Sequence, residues 1–520
     1  MANSQLFATK PLSLLLEEMK GENRLRRCLG PVQLSSLGIG AIIGTGIFVL
    51  TGVAAHDRTG PALMLSFVFA GITCIFAALC YAEFASMAPV AGSVYTYAYA
   101  TLGELFAWII GWDLILEYAV ASSTVAHGWS HYFQDFTKNR YVAGLIGGWE
   151  VPHVLTNAPF DYDLTSGHLA RTGTWFDLPA ILIAFVITAI LVKGIKESAT
   201  FNATIVAIKI VIVLFVIIVG AFYVNPANWH PFAPFGLTGV SFFGKTLFGQ
   251  TGAGGEPLGM LAGAAIVFFA YIGFDSVSTH AEEARNPRKD VPIGIISSLV
   301  ICTVLYIAVA AVLTGMVRYD KINIDAPVSN AFMQAGLPWA QLLISVGAVA
   351  GITSVLLVMM LSQPRVFLAM ARDGLLPESF FGAVHERFRT PWKATILTGF
   401  AVATMAAFLP LRILAELVNI GTLLAFVIVC AAVLIMRRTH PDAERPFRAP
   451  FVPAVPILGV ACCLVLMFSL PPENWLRLVV WLAVGFAIYF GYGRKHSVLA
   501  RMRARGGVPA AASPVPARPV

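Results

Sequence analysis

Unbroken apolar runs of about twenty residues recur along almost the whole of this chain, and about twenty helical residues are what crossing a bilayer's hydrocarbon core requires. With no water to serve their N–H and C=O groups, runs of this kind are viable only as helices that bond internally. The stretches between them are too short to be domains. Hydrophobic residues make up 58% of the chain and charged residues 12%, against roughly a quarter charged in soluble domains, which excludes an ordinary soluble enzyme.

The fold class expected is therefore an all-α membrane protein with 12 transmembrane helices. The runs predict spans at 33–55, 61–87, 102–132, 177–193, 202–224, 258–279, 292–316, 336–371, 393–410, 413–436, 452–470 and 474–491. Residues 1–32 read as a cytoplasmic arm, polar and basic with Leu14, Leu15 and Leu16 among charges. They offer no small-residue cleavage site, so the first helix is expected to be retained. Residues 33–491 form the membrane domain, and 492–520 a cytoplasmic tail whose Ala/Pro/Gly-rich end, from Gly506, is expected to be disordered.

Lys and Arg set the orientation. With the N-terminus cytoplasmic, 25 of the 35 fall on the inner face, nine fall outside, and Lys209 lies within a span. Both termini are then cytoplasmic, and the net charge of +7 is a consequence of topology and implies no nucleic acid partner. The seven cysteines (Cys28, Cys74, Cys80, Cys302, Cys430, Cys462 and Cys463) lie mostly inside spans, without C-x-x-C pairs or His at metal spacing. They read as packing residues, and neither a metal nor another cofactor is expected.

Two spans half a chain apart carry interruptions: Gly44-Thr45-Gly46 in the first and Tyr271-Ile272-Gly273-Phe274-Asp275 in the sixth. Paired broken helices at corresponding positions point to a carrier built from inverted repeats, with its site where the repeats meet. Spans 1–5 (about 33–224) and 6–10 (about 258–436) would be the repeats, and 452–491 two extra helices. Gly40 and Gly44, four apart, also suit close helix packing. Glycines around a hydroxyl residue further allow unwinding, which frees N–H groups and a positive helix end for a carboxylate.

Lys209 sits roughly ten residues into the fifth span, so at about 1.5 Å per residue it lies near mid-membrane. A cation so placed is either functional or a plug that donates to carbonyls and hydroxyls. Asp113 and Glu117, four apart, share one face of the third span. Glu117 could receive an ammonium or exchange a proton, or it could be a hydrogen-bonded structural carboxyl. Glu83 and Glu104, near span ends, read as structural, and Asp275 lies at the second break. Thr353 and Ser354 place two hydroxyls beside small residues in the eighth span, followed by Met359 and Met360.

G-I-G-A-I-I-G-T-G-I-F at 38–48, L-C-Y-A-E-F-A at 79–85, G-W-D-L-I-L-E-Y at 111–118, F-F-A-Y-I-G-F-D at 268–275, E-E-A-R-N-P at 282–287, R-D-G-L-L-P at 372–377 and R-P-F-R-A-P at 445–450 together resemble the cationic amino acid transporter family of the amino acid–polyamine–organocation superfamily. The resemblance covers about residues 25–495, while the outer loops near 133–176 and 240–257 are longer than in its bacterial members. It implies a leucine-transporter-like fold of five-plus-five inverted repeats with two further helices. It also implies a substrate whose carboxylate and amino group bind Ile42, Ile43, Gly44, Thr45, Gly46, Phe269, Ala270 and Ile272, with Glu117 and Met359 at the side-chain end. Lys209 would stand where sodium sits in sodium-coupled relatives, facing Thr353 and Ser354.

The function expected is import of an amino acid, small and neutral such as alanine or cationic, by proton symport with alternating access across a bacterial inner membrane. An exchanger or uniporter of the same fold is the alternative. Protons and membrane lipid are the other partners, with a small accessory membrane subunit as a further candidate. Isolated polar positions do not line a channel, and no nucleophile–base pair identifies an enzyme.

Overall fold

The computed structural model describes residues 5–11, 29–87, 93–163, 168–194, 199–242, 245–253, 255–281, 284–388 and 390–504. Leu14 to Leu16, the tail from Gly506, and Glu282 and Glu283 of the 282–287 motif lie outside them.

The first expected span is two helices, α1 (Pro31–Ile42) and a continuous helical run 46–59, α2, separated at Ile43 to Thr45. The chain continues through α3 (Leu63–Met87), α4 (Ser93–Thr101), α5 (Glu104–Lys138), α6 (Leu178–Lys193) and α7 (Ala199–Ala221). The sixth expected span is again divided. α8 (Met260–Val267) runs into a 3-10 turn, Phe268–Tyr271, and resumes as the single turn α9 (Ser276–Thr279). Then follow α10 (Pro287–Met316), α11 (Pro327–Gln334), α12 (Pro338–Arg372), α13 (Trp392–Phe408), α14 (Leu411–Thr439), α15 (Ala454–Phe468) and α16 (Pro472–Ile488). Among the described residues, eight helical segments are long and apolar enough to cross a membrane, and α1, α6, α13 and α15 are shorter apolar helices.

Local chemistry sets the helix starts. Pro287, Pro338 and Pro472 occupy first turns, where the missing N–H is no loss. Asp177 caps α6 by accepting from the Ala180 N–H at 3.1 Å. α5 follows Gly103, whose positive φ of 103° a side chain would strain and whose missing Cβ leaves room for the backbone of Phe7.

Burial sorts centre from rim: 83% of the apolar window of α5 and 89% of that from Met260 to Ser278 is buried within the protein, against 33% for Thr204–Ala221 and 22% for Pro472–Met502. α3 packs along α10, α10 on α1, and α12 and α14 along α5. At one end three short antiparallel hairpins rise from the loops after α5 and α7: Phe160–Asp163 with His168–Arg171, Val240–Phe242 with Lys245–Phe248, and Gln250–Thr251 with Pro257–Leu258. This is the hairpin face.

At the opposite, termini face, residues near the two ends of the described chain meet. Glu104 accepts from Tyr99 (3.0 Å), Tyr489 (2.9 Å), Gln5 (3.4 Å) and the Ser497 hydroxyl. Gln5 also donates to the Arg494 carbonyl at 2.7 Å, and Asp373 pairs with Lys10 at 3.0 Å while accepting from Tyr95 at 2.7 Å. Glu83 receives Arg437 in a two-pronged contact (3.0 and 2.7 Å), stands 3.3 Å from Arg445, and accepts from the Ala449 N–H at 2.8 Å. The 79–85 and 445–450 motifs are therefore two halves of one joint, and Glu83 and Glu104 are structural, as expected.

Candidate functional site

The two interruptions lie against each other at the centre of the bundle. In the first, Ile43 is extended (φ −72°, ψ 101°) and helix resumes only from Thr45. Among the described residues the N–H groups of Gly44, Thr45 and Gly46 have no hydrogen-bond partner, while the Gly44 carbonyl accepts from Ile47 and Phe48, each at 3.2 Å. In the second, Ile272 is extended and Gly273 has φ +120°, in the left-handed region that favours glycine. The Gly273 N–H donates to Asp275 Oδ1 at 3.2 Å, and Asp275 Oδ2 accepts from Tyr118 of α5 at 3.0 Å.

Contact between the breaks depends on glycine. A Cβ on Gly46 would fall on the Cα and Cβ of Ala270, and one on Gly273 would stand 2.9 Å from the Ala41 carbonyl oxygen. Tyr306 of α10 ties the two together, its hydroxyl lying 2.9 Å from the Ile42 carbonyl and 3.1 Å from that of Ala270.

Beside the breaks is a buried cavity lined by Ala41, Ile42, Gly44, Thr45, Gly46, Val125, Phe269, Ile272, Val355 and Met359. It has room for about one water molecule, so a larger ligand requires its walls to part. One wall is the break itself, Gly44, Thr45 and Gly46, whose N–H groups are free and whose Thr45 hydroxyl is buried and unpartnered. The other walls are apolar, from Val125 on α5 and Val355 and Met359 on α12. Unpartnered N–H groups at a helix start are suited to a carboxylate, and the apolar walls to an aliphatic side chain.

Lys209 is buried and reaches the first break from behind, its Nζ donating to the carbonyls of Gly40 (2.6 Å) and Ile43 (3.0 Å). Its stem lies on α12 at Gly351, where a Cβ would be 3.4 Å from Lys209 Cγ and Cε. The hydroxyls of Thr353 and Ser354 bond within α12, to Val349 (2.7 Å) and Gly351 (3.0 Å), and Thr353 also accepts from Trp129 at 2.8 Å. Lys209 thus meets carbonyls of the break, and its hydrogen bonds do not run to those hydroxyls.

Of the expected site residues, Ile42, Gly44, Thr45, Gly46, Phe269, Ile272 and Met359 line the cavity, Ile43 presents its carbonyl to Lys209, and Ala270 packs on Gly46. Glu117 is not in the lining. It is buried with Oε1 unpartnered, and Asp113, with neither carboxyl oxygen hydrogen-bonded, faces α14 at Gly421. Val125, Val355, Ala41 and Tyr306 were not anticipated. Val355 could have been, because it lies one turn before Met359 on the same face; the others depend on contacts between distant segments.

A family model described as amino acid permease matches residues 29–488. The chain is 49% identical over 498 residues to the methylthioribose transporter of Bacillus subtilis (strain 168), spanning 95% of this chain and 99% of that one. It is 48% identical over 495 residues to the branched-chain amino acid permease BcaP of the same organism, with the same coverage of 95% and 99%. To the vacuolar cationic amino acid transporter 4 of Arabidopsis thaliana it is 38% identical over 436 residues, 83% of this chain and 66% of that one.

Proposed function

The chain belongs to the amino acid permease family, and from that premise we propose that it imports a neutral, apolar amino acid across the bacterial inner membrane by proton symport with alternating access. The observation that carries this reading is the first helix break: the residues whose N–H groups are free line the cavity, while the amine of Lys209 sits on the adjoining carbonyls. The carboxylate is held by the N–H groups of Gly44, Thr45 and Gly46, and the side chain lies against Val125, Val355 and Met359. Lys209 takes the place of a metal cation and releases its proton when the break moves away from it.

Within this reading the helices make twelve crossings in a five-plus-five inverted repeat with two further helices, and the termini face is cytoplasmic, in keeping with the Lys and Arg asymmetry. The apolar walls, with Glu117 outside the lining, favour an aliphatic over a cationic side chain. The two Bacillus relatives, one a branched-chain amino acid permease and one a methylthioribose transporter, place valine, leucine, isoleucine and methylthioribose beside alanine, lysine and arginine in the test panel.

The test is uptake of that labelled panel into liposomes holding the purified protein under an imposed inward proton gradient. Accumulation of aliphatic amino acids that collapses with a protonophore is expected. Accumulation only of lysine or arginine would overturn the substrate assignment, and accumulation only of methylthioribose would overturn amino acid transport. Exchange or downhill flux indifferent to the gradient would overturn symport.

A further inference from the structure

On the side of α5 away from the cavity, nearer the hairpin face, two histidines stand one turn apart and so share a helix face: His127 and His131. Their rings meet edge-on, with centroids 4.6 Å apart. His127 Nδ1 is 3.3 Å from Asp177 Oδ2 and equally far from the Ala406 carbonyl, and His131 Nδ1 is 3.4 Å from Asp325 Oδ1. One nitrogen from each histidine and one oxygen of Asp177 all lie within 4.8 Å of one another.

Asp177 is held from behind. Its Oδ1 accepts from the Ser130 hydroxyl at 2.6 Å and from the Ala180 N–H at 3.1 Å as the cap of α6. Its Oδ2 and His131 Nδ1 are buried without a hydrogen-bond partner among the described residues. A buried carboxylate oxygen and a buried imidazole nitrogen on neighbouring helices are thus both without a hydrogen bond, each beside an ionisable partner, His127 or Asp325.

We propose that His127, His131 and Asp177 form a binding site for a divalent transition-metal ion of the zinc type, with Asp325 as its fourth ligand. Zinc takes imidazole nitrogen and carboxylate oxygen at about 2.0–2.2 Å in a tetrahedron, which sets ligand atoms roughly 3.3 Å apart. The His127–Asp177 and His131–Asp325 separations of 3.3 and 3.4 Å already match, and the ligand atoms of His127, His131 and Asp177 span no more than 4.8 Å. Calcium and magnesium, which require oxygen ligands throughout, fit poorly. Ser130 and the Ala180 N–H supply the outer hydrogen bonds that orient a ligating carboxylate. Asp325 is 58% exposed, so the ion enters from the hairpin face. Cysteine spacing gave no hint of this site, because it is the fold that brings residue 177 to residues 127 and 131.

Full-length protein in detergent, stripped with chelator and titrated with zinc chloride, tests this without any transport substrate. One zinc per chain and a rise in melting temperature are expected, and cobalt chloride should give the visible absorption of a tetrahedral centre. His131→Gln, at the rim of the site, should weaken zinc binding by at least about tenfold, and His127→Ala with His131→Ala should abolish it. The His131→Gln protein must melt at the parent temperature in chelator, which separates lost ligation from lost folding. Less than one zinc per chain in the parent, or undiminished binding by His131→Gln, would leave these residues as ion pairs and overturn the site.

Discussion

Lys209 and Gly46 do different work at the same break, and substitution separates them. The buried lysine amine is satisfied by two carbonyls freed by the break. If it carries the coupled proton, Lys209→Ala should abolish accumulation against a gradient and flatten the pH dependence of uptake. Retention of the parent pH profile by folded, reconstituted protein would reduce Lys209 to a plug. Gly46 acts by absence: its Cβ would overlap the backbone of Ala270, whereas one on Gly44 would stand 2.8 Å from a methyl of Val355, which can turn aside. Gly46→Ala should therefore lose substrate binding outright, and Gly44→Ala should weaken it only several-fold, as measured by ligand-induced thermal stabilisation. Equal losses would mean that the packing asymmetry does not matter. Met359→Ser replaces an apolar wall with a short polar one, and should admit longer or cationic side chains at the expense of leucine. An unchanged selectivity panel would count against that wall.

At the scale of elements, the sequence announces its helices and its breaks but not which way each helix faces. The Gly44-Thr45-Gly46 and Gly273 interruptions were legible because they recur at corresponding positions half a chain apart, although glycines in apolar spans also serve close helix packing. The partners of Thr353, Ser354 and Glu117 were not, because helices that are apolar nearly all round carry little periodic signal of azimuth, and their hydroxyls bond back to their own turns as often as outward. Tyr306 shows what such a reading misses: a single hydroxyl between the carbonyls of Ile42 and Ala270. Tyr306→Phe should cost about 1 kcal/mol of stability but reduce transport well beyond what that loss explains, because it unties the two breaks. Transport at the parent rate would restrict the tyrosine to packing. Removing the Glu83 carboxylate is the contrasting case. Glu83→Gln leaves Arg437 and the buried Arg445 short of a counter-charge, and should cost about 3–5 kcal/mol, visible as a lower melting temperature with substrate affinity unchanged in the folded fraction.

Across the whole molecule, family membership was legible from motifs spread over 38–450, and the structure explains two of those motifs as one joint, Glu83 with the segment Arg445 to Ala449. That both termini share one face was expected from the Lys and Arg asymmetry, whereas the contacts that join them were not legible, since they link residues far apart in the sequence. Glu104 takes hydrogen bonds from Gln5, Tyr489 and Ser497, and Gln5 reaches the carbonyl of Arg494, 489 positions away. Without residues 489–497 the carboxylate of Glu104 would keep only Tyr99 and Gln5 as donors among the described residues, and Gln5 would lose the carbonyl of Arg494, so a single buried carboxylate clamps early and late segments of the chain together.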